Sequence, residues 1–551
     1  MDDLSREELI SQLKEVRAAL SEMRQLLETV VAENKLLKRS LYGNRRERYE
    51  DPRQQSLFDS EWIGQDESNP SEADHDRDES ALGGTEDESQ ATRKRRSRGR
   101  LVFPDTLPRK QVVHELKDED LPEELRGRED VRRFQKKVGE FVEVEPATAY
   151  VVEEFVEVVA ADQEDESTQM ASATRPARVL DCYAGPGLLA SMVVDRFADF
   201  LPYYRLEEWL KRLQLNIPRG TIARWMIRLA NQLKPLIDKI RSRVMESSVI
   251  CMDETPVKLL EPGRGEALTS YLWTTVGDEE HPYNGFYFTV DRSRAGPEEI
   301  LKDYRGVLVS DAYVCYESLQ AEWSDRMRWA CCHVHARRKF EELDHLGSTQ
   351  ATATALGYFQ RLFALEDQLR EVSAEERYAA RNQHAKPLMS DFKKWLDDQR
   401  SVLRPKHPLR GAIQYMTKRW QSFIRFLENG SIPVENNAAE RSVKLPVLAK
   451  KNHLFFASRE GGEAAMAFYT LTATCRRLHI DPFAYIHHLF QQWPRIDQQK
   501  DLSRFLPDQW LADHPQHRLE IREEEAKSRS ATKKSKRSQR RKALARKLKR
   551  K

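Results

Sequence analysis

Two short apolar runs decide how this chain is read. The first is Ser248-Val249-Ile250-Cys251-Met252-Asp253, and the second is Val307-Leu308-Val309-Ser310-Asp311. Each is a β-branched segment of strand length that stops at an aspartate. Between them, 269–276 is rich in Tyr, Trp and Thr, and 286–290 is a third apolar run. The stretch 297–304 begins with Pro297, which suits the first turn of a helix. After Asp311, a fifth strand is expected over 328–334, running into a helix from Ala336. Residues 341–430 read as mostly helical, and a further helix over 435–445 carries Glu440. The order is strand, strand, strand, helix, strand, strand. It predicts a ribonuclease-H-like sheet whose first and fourth strands are neighbours, so Asp253 and Asp311 converge at one edge. Glu440 would close the site. Three carboxylates suit a pair of hard cations such as Mg²⁺, which prefer oxygen ligands. Two ions about 4 Å apart can activate a hydroxyl and stabilise the leaving oxygen of an in-line phosphoryl transfer.

The chain has 89 acidic residues, so three acids carry meaning only through placement. Glu440 and Lys444 are also spaced as an ordinary surface ion pair on a helix. Glu435 competes with Glu440. Five residues along one helix is a turn of about 140°, so the two cannot face one metal pair if both are helical. Glu435, just after Pro433, is expected at the helix start, and Glu440 a turn further in. Asp278, Asp291 and Asp303 fall in turns or at element ends and are expected to be solvated.

Working outward, 186–240 reads as helical. Helices at 206–213 and 219–229 are joined by Gln214-Leu215-Asn216-Ile217-Pro218, a spacing that fits a helix-turn-helix. Arg219, Thr221, Arg224 and Trp225 lie on its second helix. The N-terminus carries a heptad. Leu13, Leu20, Leu27, Asn34 and Leu41 fall at a, and Leu9, Val16, Met23, Val30 and Leu37 at d, which predicts a self-associating coiled coil. Asn34 at an a position would fix register and favour a dimer.

The net charge of +2 conceals segregation. Residues 59–88 hold twelve acids and one base, 93–100 six bases, and 527–551 fourteen bases. The acidic stretch has too little apolar surface to order itself and reads as a disordered linker. Basic blocks of this density read as nucleic-acid contacts or solvated tails. Strand-like residues around 135–160 predict a small β module. Gly and Pro number only 22 and 24 of 551 residues, below the roughly 12% average, which favours helix. No apolar run approaches the roughly 18 residues of a membrane span. The first residues are acidic and polar, unlike a secretory signal. Six cysteines are too few for a disulfide scaffold, so a reduced, cytoplasmic protein is expected.

The resulting organisation is a leucine-zipper coiled coil (1–48), an acidic linker (49–92), and a basic block with a β module (93–175). A helical helix-turn-helix region (176–245) and the catalytic domain (246–465, helical insertion 341–430) follow. A helical C-terminal module (466–525) and a basic tail (526–551) complete it. Two further motifs read as structural. Cys331-Cys332-His333-Val334-His335 resembles a ligand set, but adjacent cysteines on a strand face opposite ways. Ala184-Gly185-Pro186-Gly187 lacks the Lys-Ser/Thr of a phosphate loop and reads as a turn.

Several of these stretches together resemble transposases of the insertion-sequence-66 family. They are Leu41-Tyr42-Gly43-Asn44-Arg45-Arg46, Gln55-Ser56-Leu57-Phe58-Asp59, Leu201-Pro202-Tyr203-Tyr204-Arg205, Asp253-Glu254-Thr255-Pro256, Ser310-Asp311-Ala312-Tyr313, His335-Ala336-Arg337-Arg338-Lys339-Phe340, and Asn436-Asn437-Ala438-Ala439-Glu440-Arg441 followed by Lys451-Asn452-His453-Leu454-Phe455. The resemblance implies cutting at transposon ends and joining of the 3′-hydroxyl to target DNA, with Asp253, Asp311 and Glu440 as catalytic triad and ligands of two Mg²⁺ ions, Mn²⁺ substituting. It implies double-stranded DNA as partner, an assembly of at least two chains, companion proteins of the same element, and a nucleoid-associated location in a bacterium. DNA contacts are expected from Arg219, Thr221, Arg224, Arg337, Arg338, Lys339, Arg441, Lys444, Lys450 and Lys451. The family's zinc-ribbon-like module is matched here only in its strands. No cysteine precedes Cys182, so no zinc is expected. Glu435, Lys450 and His453 depart from the family's usual Asp, Arg and Trp. Two alternatives remain: a DNA-binding relative that has lost the reaction, and a nuclease that cuts without joining.

Overall fold

The computed structural model describes residues 109–522, with breaks at 128–130, 146–147, 163–167, 262–264 and 498–500, and a few isolated positions elsewhere. The chain divides into two units, Met1–Val102 and Phe103–Lys551. The heptad, the acidic linker, the basic block at 93–100 and the basic tail all lie outside the described span. Among the described residues no helix is long and apolar enough to cross a membrane.

The β module comes first. Strands β1 (Arg109–His114), β2 (Arg132–Glu145), β3 (Thr148–Asp162) and β4 (Thr168–Ser172) form one sheet, with β2–β3 a long antiparallel hairpin. Its core is Leu116, Leu121, Leu125, Val156, Val158, Val159 and Ala173. Its surface is laced by ion pairs, Arg109 and Lys137 to Glu140 and Glu153, and Arg133 to Asp118 and Glu157. Apolar burial and charge pairing thus organise the described part of this sheet. It joins the next element through backbone bonds between Val142 and the Tyr183–Gly185 segment.

The Ala184-Gly185-Pro186-Gly187 motif is a helix start. Gly185 is the N-cap and Pro186 the first residue of α1 (Pro186–Phe197). Glu143 from β2 accepts the Leu188 backbone N–H at 3.1 Å, placing a carboxylate at the positive end of the helix. A Cβ on Gly185 would lie 2.6 Å from that carboxylate and 2.8 Å from the Phe141 ring, so a larger residue would have to displace both. Then come α2 (Tyr203–Arg212), α3 (Arg219–Gln232) and α4 (Lys234–Met245). Gln214 ends the first of these at φ +59°, and Leu215 and Ile217 bury themselves in the connection. Pro218 caps α3 from just outside it.

The central sheet is built from β5 (Val249–Leu259), β6 (Leu268–Val276) and β7 (Asn284–Thr289), then α5 (Ala295–Leu301), β8 (Gly306–Ser310), α6 (Val314–Glu322) and β9 (Met327–Cys331). Its order is β7-β6-β5-β8-β9, antiparallel across the first three strands and parallel across β5, β8 and β9. The expected boundaries shift by a few residues at β7, β9 and α5. One difference is larger. β5 does not stop at Asp253 but continues through Pro256 to Leu259, because β6 pairs it along that whole length.

Helix α7 (His333–Leu346) follows β9 directly. The helical insertion then comprises α8 (Gln350–Gln368), α9 (Ala374–Ala380), a π-helical turn (Arg381–Ala385), α10 (Lys386–Val402), α11 (Pro408–Thr417) and α12 (Trp420–Ile424). The chain returns with α13 (Asn437–His453), short strand β10 (Phe455–Phe456), α14 (Arg459–Arg477), α15 (Pro482–Gln492) and α16 (Pro507–Asp513). Helix α14 runs through residue 466, where the sequence reading begins a separate C-terminal module. It is buried along most of its length and covers the sheet edge. The outward N–H groups of Asn284 and Phe286 donate to the Thr474 and Thr470 hydroxyls at 3.1 Å each. Two threonines four apart share one helix face, and their spacing matches alternate residues of the strand closely enough to satisfy an otherwise open edge.

Candidate active site

The site begins with strand register. The last β5–β8 rung pairs Cys251 with Val309. Asp253 and Asp311 each lie two residues beyond it. Equal offsets on adjacent parallel strands put both side chains on one face, roughly 5 Å apart at the backbone. β8 ends at Ser310, which leaves one flank of β5 open at Asp253. Asn436 fills that gap, its side-chain amide donating to the Met252 carbonyl at 2.8 Å. Helix α13 starts at the next residue, so Glu440 sits in its first turn. Glu435 precedes the helix and faces Arg370 at 3.9 Å. The expected helix start at 435 is therefore corrected, and the 140° argument does not apply. Glu440 is the acid at the helix's positive end.

The three acids act on one another electrostatically. Burial, then the charges of Glu254, Asp311 and Glu440, push Asp253 up to about 8. Buried Oε1 of Glu440 has no hydrogen-bond partner. Glu254, on the opposite face of β5, is pushed up to about 7 by burial and by Asp311, against the pull of Arg292. The Arg292 guanidinium donates its Nε–H to Glu254 Oε1 at 2.9 Å and lies 4.1 Å over the Tyr313 ring. Tyr313 in turn donates its backbone N–H to the Asp311 carboxylate at 3.1 Å. Tyr313 therefore orients Asp311 directly, and Glu254 acts only at a remove, by anchoring the Arg292 that stacks on Tyr313. Sequence reading missed them as positioning residues, although Glu254 and Tyr313 stand inside the two motifs it singled out.

The Cys331-to-His335 stretch splits. Cys331 ends β9, and Cys332 is the N-cap of α7. His333 is buried between Phe423 and Phe426, with Nδ1 3.2 Å from the Val434 carbonyl. Cys332 Sγ, a His335 ring nitrogen and a Glu440 oxygen lie within 4.8 Å of one another. Burial pushes the Cys332 thiol up to about 11. Burial also lowers His335 from its ordinary value, against the charge of Glu440.

The residues expected to meet DNA divide in two. Arg338, Lys339, Arg441, Lys444 and Lys451 are exposed near the acids or along α13. Arg337 is exposed but paired with Glu341 at 2.6 Å. Lys450 is engaged within the fold, its ammonium donating to the Pro256 carbonyl at 2.9 Å at the surface, and so braces α13 against β5. On α3, Arg219 and Arg224 are exposed, and Arg224 donates to Thr221 at 2.9 Å. Trp225 belongs to the core, edge-on to Tyr183 at 5.1 Å. Asp278 is not merely solvated. It accepts the backbone N–H groups of Ser248 and His281 at 2.8 and 3.0 Å, and these bonds hold its carboxyl below its ordinary value against the opposing effect of burial.

The central sheet and its clustered acids fall within the span that a family comparison matches. Residues 181–464 match the model described as "Transposase IS66 family", and the chain belongs to that family. Residues 31–112 match a second model, "Transposase C of IS166 homeodomain". The chain is 31% identical over 356 residues to the uncharacterized protein y4jD of Sinorhizobium fredii, covering 62% of this chain and 69% of that protein. It is 30% identical over 358 residues to y4hP of the same organism, covering 61% of each. A third relative there, y4qI, is 29% identical over 338 residues, 58% of this chain and 62% of its own length.

Proposed function

We propose that this transposase cuts DNA at transposon ends and transfers the 3′-hydroxyl to target DNA at a site built from Asp253, Asp311 and Glu440. The observation that carries this reading is the matched offset of the two aspartates beyond the last rung, with the charge of Glu440 reaching Asp253. The strand order β7-β6-β5-β8-β9 supports reading this as a ribonuclease-H-like sheet. The donor set fits hard divalent cations. It is all oxygen, and it holds more buried negative charge than its neighbours balance. A pair of Mg²⁺ ions, or Mn²⁺, held by Asp253, Asp311 and Glu440 would supply the charge that activates a hydroxyl and steadies the leaving oxygen.

The chain's own residues do the positioning. Glu254 anchors Arg292, Arg292 stacks on Tyr313, and the Tyr313 backbone N–H orients Asp311, while Asn436 sets the start of α13. Arg338, Lys339, Arg441, Lys444 and Lys451 supply positive charge for phosphates around the acids, and Arg219 and Arg224 on α3 supply it for a helix-turn-helix contact. The basic tail adds affinity without sequence preference.

The test is a pair of variants on DNA carrying the element's ends. Glu440→Gln is expected to abolish cleavage and joining, at least ~100-fold down, while binding DNA near normally. Glu435→Gln is expected to keep substantial activity. A dead Glu435→Gln beside an active Glu440→Gln would move the third ligand to Glu435 and overturn the assignment.

A further inference from the structure

We propose that Cys332, His335 and Glu440 form a second cation site, selective for zinc-like ions, whose occupation withdraws Glu440 from the Asp253–Asp311 pair. The proposal rests on the reading of Glu440 as the third catalytic carboxylate. It departs from the sequence expectation that the protein takes no zinc.

Three observations carry it. The ligand atoms of the three residues lie within 4.8 Å of one another. Two of them, His335 Nδ1 and Glu440 Oε1, are buried without a hydrogen-bond partner, though only 3.8 Å apart. Buried polar atoms are nearly always satisfied, so a facing pair of orphans marks a missing neighbour. The third atom, Cys332 Sγ, is held in place by the Asn436 backbone N–H at 3.2 Å, the kind of outer partner that orients a metal-bound sulfur.

The chemistry separates this set from the one beside it. Sulfur and imidazole nitrogen favour zinc and its neighbours, whereas magnesium takes oxygen. Zinc bonds of about 2.0–2.3 Å set tetrahedral ligand spacings of roughly 3.5 Å. The His335–Glu440 separation is already close to that, and side-chain rotation closes the rest. Three protein ligands leave a fourth position for water, and the His335 and Glu440 side chains are 22% and 27% exposed, so an ion can enter from solvent. Zinc binding replaces the Cys332 thiol proton, which leaves to solvent. One carboxylate bound to zinc in this pocket is no longer oriented toward Asp253. Zinc would then act as a brake on a magnesium-dependent reaction.

The experiment uses the full chain. Zinc alone is dialysed against it in excess magnesium and counted by elemental analysis. Cobalt serves as a spectroscopic probe. The expected result is one zinc per chain, a thiolate-to-cobalt charge-transfer band, and inhibition of magnesium-dependent cleavage by zinc. Cys332→Ser should lose the band and weaken zinc binding at least ~10-fold, while cleaving in zinc concentrations that stop the wild type. His335→Gln, at a more exposed position, should weaken zinc binding similarly and covers the case in which Cys332→Ser does not fold. Cys331→Ser, one residue away but outside the cluster, should bind zinc as the wild type does. No retained zinc, or equal retention by Cys332→Ser and His335→Gln, would overturn the site. Zinc bound without inhibition would overturn the sharing of Glu440. Failure of every preparation to cleave with magnesium would instead count against the proposed reaction, and the zinc stoichiometry would still be readable.

Discussion

At the scale of single residues, the site trades stability for chemistry. Asp253 carries a folded-state value of about 8 against an ordinary value of 3.8. The folded chain therefore keeps a proton that the unfolded chain has lost between those limits. Stability from this group is complete below about pH 4 and is lost as pH rises through that interval to 8. Asp253→Asn removes the penalty. In metal-free buffer at pH 8 it is expected to be the more stable protein, by up to about 5 kcal/mol, with the advantage shrinking to nothing near pH 4. Thermal melts across that range check this. A wild type as stable as Asp253→Asn at pH 8 would show that the acid bears no such cost. Magnesium should reverse the ranking, since it favours the ionised carboxylate. The aspartates were legible in sequence because a short apolar run ending on an acid is a local pattern. Glu254 was not, because its partner Arg292 is 38 residues away, and Arg292 in turn stacks on the still more distant Tyr313.

Between elements, the features that matter are offsets in length and long-range ties. β5 outruns β8, and that overhang creates the open flank that Asn436 and α13 fill. The sequence concealed the overhang, since Asp253-Glu254-Thr255-Pro256 breaks the apolar run and Pro256 argues against a strand interior. Pairing with β6 overrides both signals. The helical insertion was legible as helix, but its tie to the site was not. Arg381, in the π-helical turn, is 1% exposed. Its guanidinium meets both Glu366 oxygens at 2.9 and 2.7 Å and donates to the carbonyls of Phe426, Asn429 and Ile432. One side chain thus fastens α8 to the segment that leads into α13 and Glu440. Lysine cannot reproduce a planar fork with five donors. Arg381→Lys is expected to destabilise the protein by about 3 kcal/mol and to reduce cleavage more than DNA binding. A melt unchanged from wild type would refute the hub role.

Across the whole molecule, the proposed reaction on two DNA ends would call for two active sites held together. The sequence offers the heptad over residues 1–41 as the means. From Leu9 to Leu41 its a and d positions are apolar except for Asn34, and that exception is informative. A buried asparagine at a costs stability, because its amide must find a partner inside the seam. It finds one only when two helices run parallel in the correct register. The same residue therefore selects a dimer over trimers or slipped pairings. Two expectations separate this from a helix that merely packs on its own chain. Deleting residues 1–45 from the full protein should convert a dimer to a monomer in sedimentation, while the central sheet keeps its melting transition. Asn34→Val should strengthen association but broaden it into species larger than dimers, because the apolar seam no longer penalises other registers. A deletion variant that still sediments as a dimer would move the assembly contact elsewhere. An Asn34→Val protein that stays strictly dimeric would remove the asparagine as the specifier of register.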